Sequence, residues 1–435
     1  MRALLFKLLL PVIAVIGVVN PFYGFCVYWG FNIIRPEMFF WGGHSANIVF
    51  KVSLIATLIG YFRLRSNPRS LFSYPDFWLF LWLWAACAIS LLLSNYPLEP
   101  RAWYYSNEIL KLWGGACICL GVVYSKEHIV KIQSLTLVCI SFLAVWAIEQ
   151  HFRGNERLEG LGGSAYGDSN GVASVGVLFF SIALNNAITA SDKKKKFVWV
   201  FSSAVIAAMI VFTQSRGGFL GMLAGFLYLL FATRKKKTLI IGAVLVSLFA
   251  VPFAAKEYIH RVETITANDE ERDMSAGSRL VLWRAGVLMF QDNPFFGVGL
   301  LNFAKVKNEY KNQLVGKVDS DLLEYSFRGY KVGHGTYFTE LLAEGGLFLT
   351  VPYLWLIFGF LIRARRIRRK NNPHNFDQSF DLLAGMEAGV VGHCVSIMFI
   401  NALFMYFLPI QLLFGRQLVR ALENEALEKP QGSVE

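Results

Sequence analysis

The sequence predicts an all-α polytopic membrane protein with about twelve transmembrane helices and one large external loop that itself contains helices. Three observations carry that expectation. The 435-residue chain is 55% hydrophobic and 17% charged and contains 38 phenylalanines, more apolar surface than a soluble core of this size needs. Its apolar residues fall in blocks near the ~20 residues that a helix needs to cross the hydrocarbon core. The basic residues behind the formal charge of +12 lie mostly in short runs between those blocks. That is a topology signal, and it argues against nucleic acid as a partner.

The chain opens with two short apolar stretches, 3–19 and 21–34, split by Asn20-Pro21. Neither is comfortably long enough to span, so they make either one crossing plus a re-entrant piece or a hairpin. Arg2 and Lys7 flank apolar residues with no small-residue cleavage site before Asn20, which reads as a retained anchor and not a signal peptide. From residue 47 onward eleven spans are expected: 47–62, 76–94, 106–123, 128–149, 170–190, 197–213, 216–232, 238–255, 337–362, 384–401 and 403–420. The chain then divides into an N-terminal bundle (1–255), a loop with an amphipathic helix (256–336), C-terminal membrane helices (337–420) and a tail (421–435).

The basic runs Arg63–Arg69, Lys193–Lys196, Arg234–Lys237 and Arg363–Lys370 are separated by even numbers of expected crossings. They therefore share one face, which the positive-inside rule makes cytoplasmic, and the tail lies there too. The opposite face receives 149–169, 213–216 and the insertion 256–333, whose eleven Lys/Arg balance eleven Asp/Glu. All six cysteines sit inside apolar runs and read as packing residues, with neither a disulfide framework nor metal-ligand spacing.

Polar residues on that opposite face are the places to look for chemistry. His334 closes the insertion just before a new apolar helix, and an imidazole at a membrane lip needs partners or a task. Arg216 stands in Gln214-Ser215-Arg216-Gly217-Gly218, at the start of another helix. A planar guanidinium beside free helix N–H groups suits a phosphate or pyrophosphate; the alternative is an interfacial anchor. Arg284 is the lone charge in the apolar run 280–290, in a helix expected to begin after Ser278 and to end at Asp292-Asn293-Pro294. It either snorkels to headgroups or joins the same outer site. Arg157 lies in a glycine-rich loop and could add a further cation, while Asp168 or Asn170 caps the helix that follows. Phe296-Gly297-Val298-Gly299 lacks the basic residue and helix of a nucleotide loop and reads as a turn. Asp319-Ser320-Asp321 reads as a polar turn and not a metal pair.

Taken together, Ser215-Arg216-Gly217-Gly218, Gly277-Ser278-Arg279 with Trp283-Arg284, Asn293 to Phe303, and His334 with Tyr337 and Gly345 resemble the O-antigen ligase and polymerase superfamily. The likeness covers most of residues 150–420 in the expected order. The opening 35 residues and Gly167-Asp168-Ser169-Asn170 also resemble a subgroup of O-glycosylation ligases associated with exosortase systems. Gly335 departs from the pattern, which usually has Asn, Ser or Gln after the histidine.

The resemblance implies a twelve-span, GT-C-like, inverting glycosyltransferase of the bacterial inner membrane, with its active site facing the periplasm and no metal or other cofactor. It implies a glycan donor on undecaprenyl pyrophosphate and an acceptor hydroxyl, in lipid A-core for a ligase or in a repeat unit or protein for a polymerase or O-oligosaccharyltransferase. Arg216, Arg284 and His334 match the functional arginines and histidine, and Arg279 is a further match; Tyr337, Arg157 and Asn170 are substrate-binding candidates. His334 is either the general base or a pyrophosphate ligand. The polyprenyl tail would stay among membrane lipids while its diphosphate meets the arginines. A transporter is disfavoured because most span centres lack charge, His393 being a titratable exception.

Overall fold

A computed structural model describes residues 2–35, 47–64, 70–96, 100–161, 166–241, 274–328, 337–370, 378–400 and 406–428. The helices are α1 (Arg2–Val19), α2 (Pro21–Ile34), α3 (Asn47–Leu64), α4 (Pro75–Leu93), α5 (Pro100–Val122), α6 (Lys126–Phe152), α7 (Ser169–Thr189), α8 (Lys193–Phe212) and α9 (Arg216–Ala232). They continue as α10 (Met274–Asp292), α11 (Ser320–Phe327), α12 (Tyr337–Lys370), α13 (Gln378–Ile397) and α14 (Phe407–Glu428), with short helical turns between α10 and α11. The chain is an all-α polytopic membrane protein. Among the described residues, six helices (α4, α6, α7, α8, α12 and α13) are long and apolar enough to cross a membrane.

The first 35 residues form two helices. Asn20 separates them: its side chain accepts the Phe22 N–H at 3.1 Å, and Pro21 takes the first helical position, where no N–H is needed. α1 packs closely on α3, and a Cβ on Gly60 would stand 2.2 Å from the Gly17 carbonyl oxygen. Without a hydrophobic force between helices in lipid, such close backbone approach is what holds them. The same device builds the centre of the bundle from α7, α9 and α13. A Cβ on Gly389 would lie 2.2 Å from the Leu178 oxygen, and one on Gly221 would lie 2.6 Å from the Gly392 oxygen.

Three basic runs meet at one end of this bundle. Lys235 donates to the Thr189 carbonyl beside the Lys193–Lys196 run, and Arg368 donates to the Ala232 carbonyl at 3.1 Å. Arg368 also makes a two-pronged pair with Glu387 (2.6 and 2.8 Å), which accepts from the Tyr228 hydroxyl at 2.6 Å. Nearby in character, Asp76 at the start of α4 is fully buried and accepts from both Arg416 and Arg420 of α14. Asp76 and Glu387 thus both have guanidinium partners, which offset the cost of burying their charge.

At the other end α12 is broken. Gly346 has φ 59° and ψ −163°, backbone that only glycine adopts without strain. The segment 293–301 fills the break. Val298 and Gly299 donate to the carbonyls of Ala343 (2.8 Å) and Glu344 (3.1 Å), while Leu347 and Phe348 donate to those of Pro294 (2.8 Å) and Phe295 (3.0 Å). Ser90 and Ser94 of the α4 end add hydroxyl bonds to the Glu344 and Val298 carbonyls, and the buried Glu344 side chain accepts the Phe303 N–H at 3.0 Å. The stretch that reads in sequence as a simple turn is therefore a strap spliced into a membrane helix.

α10 begins at Met274, earlier than the expected start after Ser278. Its Val281, Leu282, Ala285 and Met289 are buried against Val298, Phe303, Tyr310, Leu314, Leu323 and Phe327 in a second core. Leu280, Arg284 and Val287 stay exposed on the opposite side. Lys307 is buried in this unit, its ammonium donating to the Ser326 carbonyl at 3.0 Å near the C-terminal end of α11. Burial pushes its pKa below the usual lysine value. Asp319 is the N-cap of α11, accepting from Asp321 and Leu322, which gives the Asp-Ser-Asp turn its structural role. His334 and the expected loop boundary near 256 lie outside the described residues.

Candidate functional site at the end away from the basic loops

Two helix starts sit side by side. The Asp168 side chain accepts the Gly171 N–H at 2.9 Å and caps α7. Asn170, the other possible cap, instead uses its side-chain oxygen to accept the Ser215 hydroxyl at 2.7 Å. The same Ser215 oxygen accepts the Gly218 N–H at 3.1 Å and caps α9, which makes Arg216 the first residue of that helix. Loss of this cap and link in Ser215→Ala is expected to remove about 1–2 kcal/mol of stability. Thermal unfolding in detergent would register it, with the spans still folded.

Arg157 reaches the same place. It donates to the Ser169 hydroxyl at 3.2 Å and pairs with Glu159 at 3.2 Å. Its loop is pinned by Tyr166, whose buried hydroxyl donates to the Ile33 carbonyl at 3.3 Å, and by a bond from the Gly160 N–H to the Gly167 carbonyl. Burial holds the Tyr166 pKa well above the ordinary phenol value, so it remains a neutral donor. Three separate stretches therefore bring Arg157, Asn170 and Arg216 into one neighbourhood.

A second convergence involves the turn that follows α13. A Cβ on Gly217 would stand 3.2 Å from the Ser396 carbonyl oxygen and 3.3 Å from the Phe399 Cβ. The Phe399 ring lies 6.5 Å from that of Trp283 on α10. Ile400 accepts the Tyr337 N–H at 2.9 Å, fixing the start of α12 three residues after His334. Tyr337 is buried, with its ring 5.5 Å from that of Tyr353.

The two α10 arginines are placed differently. Arg279 is half-buried and precedes Trp283 by one helical turn, so it shares the face that meets Phe399. Arg284 comes one residue after Trp283 and projects about 100° away. It is exposed and donates to the Lys317 carbonyl at 3.1 Å.

Sequence reasoning did not single out Phe399, Glu344 or the linking role of Ser215. Phe399 ends an apolar helix and offers no polar signal. Glu344 and Ser215 stand inside quoted motifs, but their partners Phe303 and Asn170 are 41 and 45 residues away. A buried glutamate beside Gly345-Gly346 was the one available hint.

Residues 201–354 match the family described as O-antigen ligase. That stretch runs from α8 into α12 and contains the Arg216 helix start, α10, the strap at 293–301 and the break at Gly346. No curated protein matches the chain. The match covers about a third of the chain and holds several of the ordered motifs, and it supports a likeness to the O-antigen ligase superfamily.

Proposed function

We propose that the protein transfers a glycan from undecaprenyl pyrophosphate to a sugar hydroxyl of lipid A-core, at the periplasmic face of the bacterial inner membrane. One observation carries this reading: the starts of α9 and α12 and the Trp283 face of α10 all meet the turn at Phe399-Ile400. They do so at the end opposite the contacts made by the basic runs. By the positive-inside rule a basic end is cytoplasmic, which supports a site at the periplasmic surface.

In this reading the acceptor oxygen attacks the anomeric carbon from the side opposite the diphosphate. A new glycosidic C–O bond forms, the bond from that carbon to the phosphate oxygen breaks, and undecaprenyl pyrophosphate departs with the electron pair and inversion. Arg216 and Arg279 hold the departing diphosphate, with Arg157 as a further cation and Asn170 and Tyr337 shaping the site. Arg284, turned toward Lys317, acts from its edge. Fixed guanidinium groups supply the positive charge that such a leaving group needs, with binding energy also orienting the acceptor. His334 takes the hydroxyl proton, a contribution of ~10²–10⁴-fold when a base is well placed, or binds the diphosphate as imidazolium, in which case the proton passes to an oxygen of the departing diphosphate. The pH profile separates these roles. A base must be neutral, so transfer falls as acid protonates it; an imidazolium ligand loses activity as pH rises through its titration.

The test is reconstitution of purified protein in liposomes with an undecaprenyl-pyrophosphate glycan and candidate acceptors. The expected products are glycosylated lipid A-core and undecaprenyl pyrophosphate, at a rate unchanged by a chelator. Extension of one lipid-linked repeat by another would favour the polymerase reading, and transfer to a protein hydroxyl the oligosaccharyltransferase one. Absence of transfer to every hydroxyl acceptor would refute the proposal, and strict need for a divalent ion would refute its metal-free part.

A further inference from the structure

We propose that Phe399 is a positioning residue that sets the arginine of α9 and the arginine face of α10 against each other. The inference rests on the reading of Arg216 and Arg279 given above. Its grounds are geometric. Phe399 follows the end of α13 and is half-buried; its Cβ and Cδ2 both lie 3.3 Å from where a Cβ on Gly217 would be. The side chain therefore seats directly on the first turn of α9, next to Arg216. Its ring faces the Trp283 ring at 6.5 Å, with 35° between the planes, and Trp283 lies one turn beyond Arg279. The next residue, Ile400, accepts the Tyr337 N–H, so the same turn anchors the start of α12.

Lever arms are short on each side. Arg216 adjoins Gly217, and Arg279 is one turn from Trp283, so a shift of the aromatic wedge passes to the guanidinium groups with little loss. Gly217 has no side chain, and this is what lets the ring come so close; a methyl there would force Phe399 or Ser396 to give by a few tenths of an ångström. α10 belongs to the second core, whereas α9 and α13 belong to the membrane bundle. The Phe399–Trp283 contact thus joins the two cores beside the helix turns that carry Arg216 and Arg279. A displacement near 1 Å at a reacting centre lowers rates by roughly 10²-fold.

The experiment compares Phe399→Ala, Phe399→Leu, Trp283→Ala and the Phe399→Ala/Trp283→Ala double variant in the liposome transfer assay, with thermal unfolding of each. Phe399→Ala is expected to lower kcat by about 30–100-fold, with KM for the lipid-linked donor within about threefold and unfolding temperature close to wild type. Phe399→Leu should recover most of the rate, and the double variant should lose little more than the worse single one. Full activity of Phe399→Ala would overturn the proposal, as would losses that multiply in the double variant or that follow the folded fraction. If Arg216→Ala and Arg279→Ala also keep full activity, the underlying assignment of the site fails instead; if they are inactive while Phe399→Ala is not, only the positioning role is lost.

Discussion

Arg216→Ala is expected to lower glycan transfer by about 10²–10³-fold, the loss typical of removing one fixed donor from a developing anion. The argument begins with its position. Arg216 is the first residue of α9, where the positive end of the helix dipole already favours an anion. Ser215 and Asn170 fix that helix start from the neighbouring α7, so the guanidinium is held on a preset base. Arg216→Lys keeps the charge but loses the planar two-point donor and is expected to restore only part of the rate. Arg279→Ala should approach the loss of Arg216→Ala, whereas Arg284→Ala should cost less, about 10-fold or under, because its side chain is engaged with the Lys317 carbonyl. Steady-state transfer by the reconstituted variants checks the order; an Arg284→Ala loss exceeding that of Arg279→Ala would reverse the assignment.

Gly346→Val is expected to prevent accumulation of folded protein, and Gly346→Ala to destabilise it by about 3 kcal/mol or more, combining backbone strain with a steric clash. At φ 59° and ψ −163° any side chain is strained, and a Cβ would stand 2.4 Å from the Phe295 carbonyl oxygen. That atom cannot withdraw freely, because the Phe295 carbonyl accepts the Phe348 N–H across the break. Loss of the strap would also release Gly297 and Gly299 from α12 and uncouple the second core from the bundle. Gly359→Ala, in the same helix beyond the break, should be much milder because the near neighbour is the end of the Arg416 side chain. Yield and detergent melting temperature distinguish the two.

Much of the architecture was readable from the chain because hydrocarbon enforces simple rules. Apolar blocks gave α4, α6, α7, α8 and α9 within a few residues, and Asp168 and Arg216 marked helix starts through ordinary capping chemistry. The break in α12 was hidden by the same rules. Hydropathy runs smoothly through 337–362, and a Gly-Gly pair in a membrane helix usually signals close helix packing. Its cause is the strap, whose hydrogen-bonding residues lie some fifty positions upstream. The candidate arginines were visible as charges at membrane boundaries, but their directions were not. Arg279 and Arg284 differ by little in sequence, yet Arg279 stands one turn before Trp283, whose ring meets Phe399, while the Lys317 carbonyl takes Arg284. Phe399 carried no signal, since one more phenylalanine at the end of an apolar helix is unremarked until its neighbours are known.

The central claim is that the donor diphosphate binds between the starts of α9 and α12 and the Arg279 face of α10. Cryo-electron microscopy of the full chain in lipid nanodiscs with undecaprenyl pyrophosphate tests it most directly. The account predicts density for both phosphates at ~2.7–3.0 Å from the guanidinium nitrogens of Arg216 and Arg279, as charge-assisted hydrogen bonds require. Diphosphate density beside Arg368 or Arg416 at the opposite end, with the Arg216 side vacant, would contradict it.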